Sequence, residues 1–114
     1  MRDYLGIVPE RNDIGCLQDI HWSMGGLGYF PTYALGNVYA AQFYAAFEKT
    51  NPNWKEAASK GDLSHIREWL RQNIHQWGRQ FTPAELIKRV TGQPLSERPY
   101  LAYLEHKYKP LYNF

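Results

Sequence analysis

Cysteine is almost missing from this sequence; Cys16 is the only one. A lone cysteine closes no internal disulfide and points to a reducing compartment. Long hydrophobic runs are missing too. No stretch approaches the roughly 20 apolar residues that a membrane-spanning helix needs. Behind the charged start Met1-Arg2-Asp3-Tyr4-Leu5-Gly6 there is no apolar stretch, so no secretory signal is expected. An excess of one charge sign is also lacking. Thirteen basic and 11 acidic residues leave a net charge of +2, too balanced for nucleic acid or an anionic membrane as first partner. No internal repeat or low-complexity tract stands out. The expectation is a soluble, cytoplasmic protein of one domain, residues 1–114.

Aromatic residues, by contrast, are abundant. Four Trp, 9 Tyr and 5 Phe make 16% of the chain. A chain of this size buries only about two thirds of its unfolded surface. Some rings should therefore face a partner, a ligand or another part of a larger protein.

The elements read as helices throughout. Residues 1–17 suggest a short helical turn and then a loop, marked by Gly6, Pro9, Asn12-Asp13 and Gly15. Gly25, Gly26 and Gly28 stand beside Trp22, Tyr29 and Phe30 in a glycine- and aromatic-rich segment. Pro31-Thr32 then opens a helix over 32–49 that is apolar nearly all round, which predicts burial. Asn51-Pro52-Asn53 breaks it, and Asn53 is placed to cap a short helix over 54–60. Asp62 or Ser64 caps the next helix, running to Trp77. Its stripe is Ile66, Trp69, Leu70, Asn73, Ile74 and Trp77, with Gly78 as the stop. Thr82-Pro83-Ala84-Glu85 has the order of a capping box, and its helix runs to Thr91 before Gly92. Ser96-Glu97-Arg98-Pro99 opens a last helix that Pro110 should kink or end. No stretch alternates with period 2. The predicted class is all-α, an irregular array of about five helices.

Catalytic signatures are sparse. The histidines His21, His65, His75 and His106 form no His-x-x-x-His pair, and no nucleophile elbow, phosphate loop or Cys-x-x-Cys occurs. His65, His75 and His106 read as solvated helix residues. Cys16 reads as a small buried hydrophobe. Trp22, Phe30, Phe43 and Phe47 read as core. One segment differs. Between Leu17 and Trp22 stand Gln18, Asp19 and His21, just ahead of the glycines. Asp19 could cap a turn while His21 bonds a backbone carbonyl. The other reading has His21 facing a cleft as a hydrogen-bond donor or proton carrier, with the Tyr33 phenol pointing into the same cleft.

Gly15-x-x-Gln18-Asp19-x-His21-Trp22 resembles the Gly-x-x-Gln-Asp-x-His-Trp motif of the thermostable zinc metallocarboxypeptidases, the family of the Thermus aquaticus and Pyrococcus enzymes. Tyr4-Leu5-Gly6-Ile7 and Gly28-Tyr29-Phe30-Pro31-Thr32-Tyr33-Ala34-Leu35-Gly36-Asn37 resemble the same family. So do Trp69-Leu70-Arg71-Gln72-Asn73-Ile74-His75, Gly92-Gln93-Pro94-Leu95 and Tyr100-Leu101-x-Tyr103-Leu104, which extends the resemblance over essentially the whole chain.

The resemblance implies a C-terminal portion of a larger helical zinc peptidase, with a glycine-rich active-site loop at 15–31. In that family, zinc or another divalent metal sits on His-Glu-x-x-His and a further glutamate, all upstream of the segment present here. It therefore implies no metal ligand and no cofactor in this chain, and no activity from the chain alone. The implied partners are the upstream catalytic portion and, through the whole enzyme, a peptide substrate that loses single C-terminal residues. His21 and Tyr33 become the catalytic candidates, with Tyr33 as oxyanion donor. Gln18 and Asp19 become candidates for fixing His21 or touching substrate, and Tyr29 is the alternative to Tyr33. The competing reading is a non-catalytic helical relic that binds a peptide or partner. In the whole enzyme the upstream helices would cover the rest of the apolar helix at 32–49; expressed alone, the chain is expected to self-associate as a symmetric dimer near Tyr39, Phe43 or Phe47.

Overall fold

The computed structural model describes residues 2–112, and among them it holds helices and no strand. Six α-helices follow in order: α1 (Arg2–Leu5), α2 (Pro31–Thr50), α3 (Trp54–Ser59), α4 (Ser64–Asn73), α5 (Pro83–Thr91) and α6 (Arg98–Tyr112). Single 3₁₀ turns lie at Asn12–Ile14, Cys16–Gln18 and His75–Trp77. The described residues fall into two compact units, one ending at Tyr33 and the other beginning at Ala34.

In the second unit the start and stop chemistry is readable at most ends. Asn51 closes α2 by donating its backbone N–H and its side-chain amide to the Phe47 carbonyl, at 3.0 and 3.1 Å. Asp62 accepts the Ser64 N–H at 2.8 Å at the start of α4. Thr82 and Glu85 form the expected reciprocal box on α5, with the Glu85 carboxylate accepting the Thr82 N–H at 2.8 Å. Gly92 then ends α5 at φ +76°, a left-handed conformation that glycine adopts without a Cβ penalty.

Three local expectations need correction. Asn53 makes no side-chain cap on α3; only its carbonyl is used, accepting the Glu56 N–H. The helix after Ser64 does not run unbroken to Trp77. It leaves α-geometry at Ile74 (φ −125°, ψ −62°) and resumes as one 3₁₀ turn. Pro110 does not end α6, which continues to Tyr112. Proline removes one N–H and crowds one carbonyl near a helix end, so two further residues can still follow.

The core is small. Phe47 (4% exposed) and Ile87 (0%) are its buried apolar residues among those described. Phe47 is held edge-on by Trp54 of α3 and Trp69 of α4, both with ring centroids at 5.7 Å. Buried Gln42 ties α2 to the α5–α6 connection. Its amide donates to Thr91 Oγ1 (3.1 Å) and the Pro94 carbonyl (3.0 Å), and its Oε1 accepts the Ser96 N–H (2.8 Å). The prediction that α2 is buried fails. Only Gln42 and Phe47 of its 20 residues are buried, because the later elements meet α2 only in its C-terminal half, and residues 31–37 are exposed throughout.

Candidate functional site

The residues of interest lie in the first unit, where chain turns rather than a packed core fix them. The Met24 N–H donates to the Ile20 carbonyl and the Gly25 N–H to Trp22, which curls the chain immediately after His21. The Gly26 N–H returns to the His21 carbonyl at 2.6 Å. A Cβ at position 26 would stand 3.0 Å from that carbonyl oxygen, so glycine permits this close approach. Thr32 then donates its N–H (3.0 Å) and hydroxyl (2.6 Å) to the Tyr29 carbonyl, and the Tyr33 N–H bonds Phe30. Pro31, with no N–H to satisfy, starts α2 and delivers Tyr33 on its first turn.

These turns bring together four of the five candidate residues. Asp19 Oδ1 lies 2.6 Å from His21 Nδ1 and accepts the His21 backbone N–H at 3.2 Å. His21 Nε2 lies 3.2 Å from the Tyr33 hydroxyl. The Tyr29 ring stacks on the imidazole at 5.2 Å and 16°. Gln18 is not brought in; it is exposed and makes no side-chain hydrogen bond among the described residues. Phe30 was expected in the core but is half-exposed, with its ring 4.8 Å from His21. Trp22, also expected in the core, is 69% exposed, and Cys16 is exposed rather than buried. A short loop with few covering elements cannot enclose large side chains.

Asp19 fixes the imidazole. Its hydrogen bond with His21 holds its carboxyl below the usual carboxylate range. A carboxylate accepts only, so Nδ1 carries the proton facing it. In the neutral ring, Nε2 is then the acceptor, and Tyr33 donates its O–H to it. When the ring gains a proton, the direction reverses: Nε2–H donates to the Tyr33 oxygen, and the phenolic proton becomes available to another acceptor. The site is a row of three polar groups at the edge of an open cavity of about 340 Å³, lined by Ile20, His21, Met24, Gly26, Tyr29 and Tyr33.

No metal fits here. Among the described residues, no group of three or more His, Cys, Asp or Glu is placed to hold an ion. His21 Nδ1 faces Asp19 and Nε2 faces Tyr33, so both ring nitrogens already have partners. His65, His75 and His106 are exposed, as expected for solvated helix residues.

Among the described residues the class is an all-helical one, with an Asp19–His21–Tyr33 row on a glycine-rich turn beside an open cavity. The comparisons narrow it. Residues 1–108 match the family model of the Carboxypeptidase Taq (M32) metallopeptidases, and the chain belongs to this family. It is 46% identical over 111 residues to thermostable carboxypeptidase 1 of Thermus thermophilus, covering 97% of this chain and 22% of that protein. Against thermostable carboxypeptidase 1 of Pyrococcus furiosus it is 39% identical, covering 95% and 22%. The M32 carboxypeptidase structure from Deinococcus radiodurans R1 superposes with a TM-score of 0.89 at 45% identity, over 99% of this chain and 23% of that one. The chain thus spans about a fifth of the length of these relatives.

Proposed function

We propose that the protein carrying this chain hydrolyses single residues from peptide C-termini, and that this chain is its C-terminal portion and one wall of the cleft. The metal, zinc in this reading, belongs to the upstream portion. The observation that carries the reading is the row Asp19–His21–Tyr33, closed at 2.6 and 3.2 Å on an open cavity. Tyr33 donates a hydrogen bond to the oxygen of the scissile carbonyl as negative charge develops on it. His21 sets whether that phenolic proton is free, since the proton is released to another acceptor when Nε2 also carries a proton, and Asp19 holds the orientation of the ring through Nδ1. Tyr29 braces the ring from its face. A donor aimed at charge that exists only in the transition state contributes about 2.7–4 kcal/mol.

Tyr33→Phe tests this in the metallocarboxypeptidase that carries the chain. The change keeps the ring and removes the hydroxyl. The expected result is a large fall in kcat with little change in KM. A fall of less than about tenfold, equivalent to about 1.4 kcal/mol, contradicts the role.

A further inference from the structure

The cavity beside His21 and Tyr33 has an apolar lining that the proposed chemistry does not use. Ile20 and Met24 contribute to it while remaining 60% and 75% exposed, and the Tyr29 ring joins them. Gly26 adds no side chain, and no Asp, Glu, Lys or Arg lines the space. Its 340 Å³ sits near the lower end of ligand pockets, about 300–1,000 Å³. Exposed apolar side chains next to a catalytic hydroxyl are unfavourable in water and become useful when a substrate covers them.

We propose that Ile20, Met24 and the Tyr29 ring form the subsite for the side chain of the peptide residue that contributes the scissile carbonyl, and that it selects medium to large apolar side chains. This rests on the assignment of Tyr33 as donor to that carbonyl. The α-carbon of that residue is bonded directly to the carbonyl carbon, so its side chain enters the space that Tyr33 lines. A cationic side chain there loses water without gaining a carboxylate partner, since Asp19 is already committed to His21.

The test uses the metallocarboxypeptidase carrying this chain and N-blocked peptides with Gly, Ala, Leu, Phe, Asp or Lys next to the last residue. Leu and Phe peptides should exceed the Gly and Asp peptides in kcat/KM by about tenfold or more, since neither fills the apolar lining, with Lys poorest. Met24→Ala should lower kcat/KM about tenfold on Leu and Phe while leaving Gly within about twofold. Met24→Leu, which conserves volume, should restore the preference. In the chain itself, the Met24 methyl resonance should shift with N-acetylphenylalanine amide and not with N-acetylaspartate amide. Equal losses on all peptides, or a preference that follows only the last residue, would overturn the subsite. Tyr33→Phe separates the two ideas. If it leaves turnover intact while Met24→Ala still narrows selectivity, the oxyanion role fails and the subsite stands.

Discussion

The two units use their aromatic residues in opposite ways. In the second unit, the rings around Phe47 cover one another, and Phe47 is 4% exposed between Trp54 and Trp69. Up to Tyr33, rings stay open. Tyr29 and Phe30 are each 48% exposed and Tyr33 52%, and all three gather around one imidazole. The difference is the usual division between scaffold and site. Buried contacts hold the helices, while the proposed site sits on a turn that leaves its side chains open.

The comparison breaks most visibly at Ile87. It is fully buried in α5, and Ile87→Ala should cost about 2–5 kcal/mol in urea unfolding. The His21–Tyr33 contact in the first unit should survive at temperatures where the variant is folded. Disruption of that contact would show that the site depends on the scaffold's packing. Next in size is Gln42→Leu, which fills the volume but leaves the Pro94 carbonyl and Ser96 N–H unpaired. The expected cost is about 1–3 kcal/mol, with faster hydrogen exchange at Ser96. Unchanged stability would show that the α2 link to the α5–α6 connection carries no load.

The smallest effect is acid-dependent and belongs to the first unit. The His21 hydrogen bond lowers the Asp19 carboxyl in the folded state. A lowered carboxylate contributes its stability above the unfolded value, near about pH 4, and loses it as pH falls through the folded value. The His21 ring resonances should therefore report the loss of Asp19 only under acid conditions. Asp19→Asn should lack that step. An Asp19 that titrates in its ordinary range would mean the link is not formed.

Much of this was legible in the sequence because local chemistry decided it. The Thr82–Glu85 box, the Gly92 stop and the Asn51 break act through neighbours a few residues away, and each is found as expected. The Gln18-Asp19-x-His21 spacing singled out the site, and Asp19 reaches His21 across one intervening residue. What sequence missed depended on the absence or presence of distant partners. The all-round apolar pattern of α2 predicts burial, yet burial requires helices along its whole length, and the described residues cover only its C-terminal half. Trp22 and Phe30 read as core yet are exposed, because hydrophobicity alone does not distinguish a packed ring from one left open on a loop. Gln42 was missed altogether. Its one visible signal was a polar residue in the middle of an apolar helix, flanked by Ala41 and Phe43. Ile74 broke its helix inside an unbroken apolar stripe, which periodicity cannot show.

The most direct measurement is Tyr33→Phe in the protein that carries this chain, read for turnover and for thermal midpoint in the same preparation. The account predicts that kcat falls at least about tenfold. The midpoint should move by no more than one exposed hydrogen bond is worth, about 1 kcal/mol. A lowered midpoint with turnover intact would contradict it and make Tyr33 a packing residue.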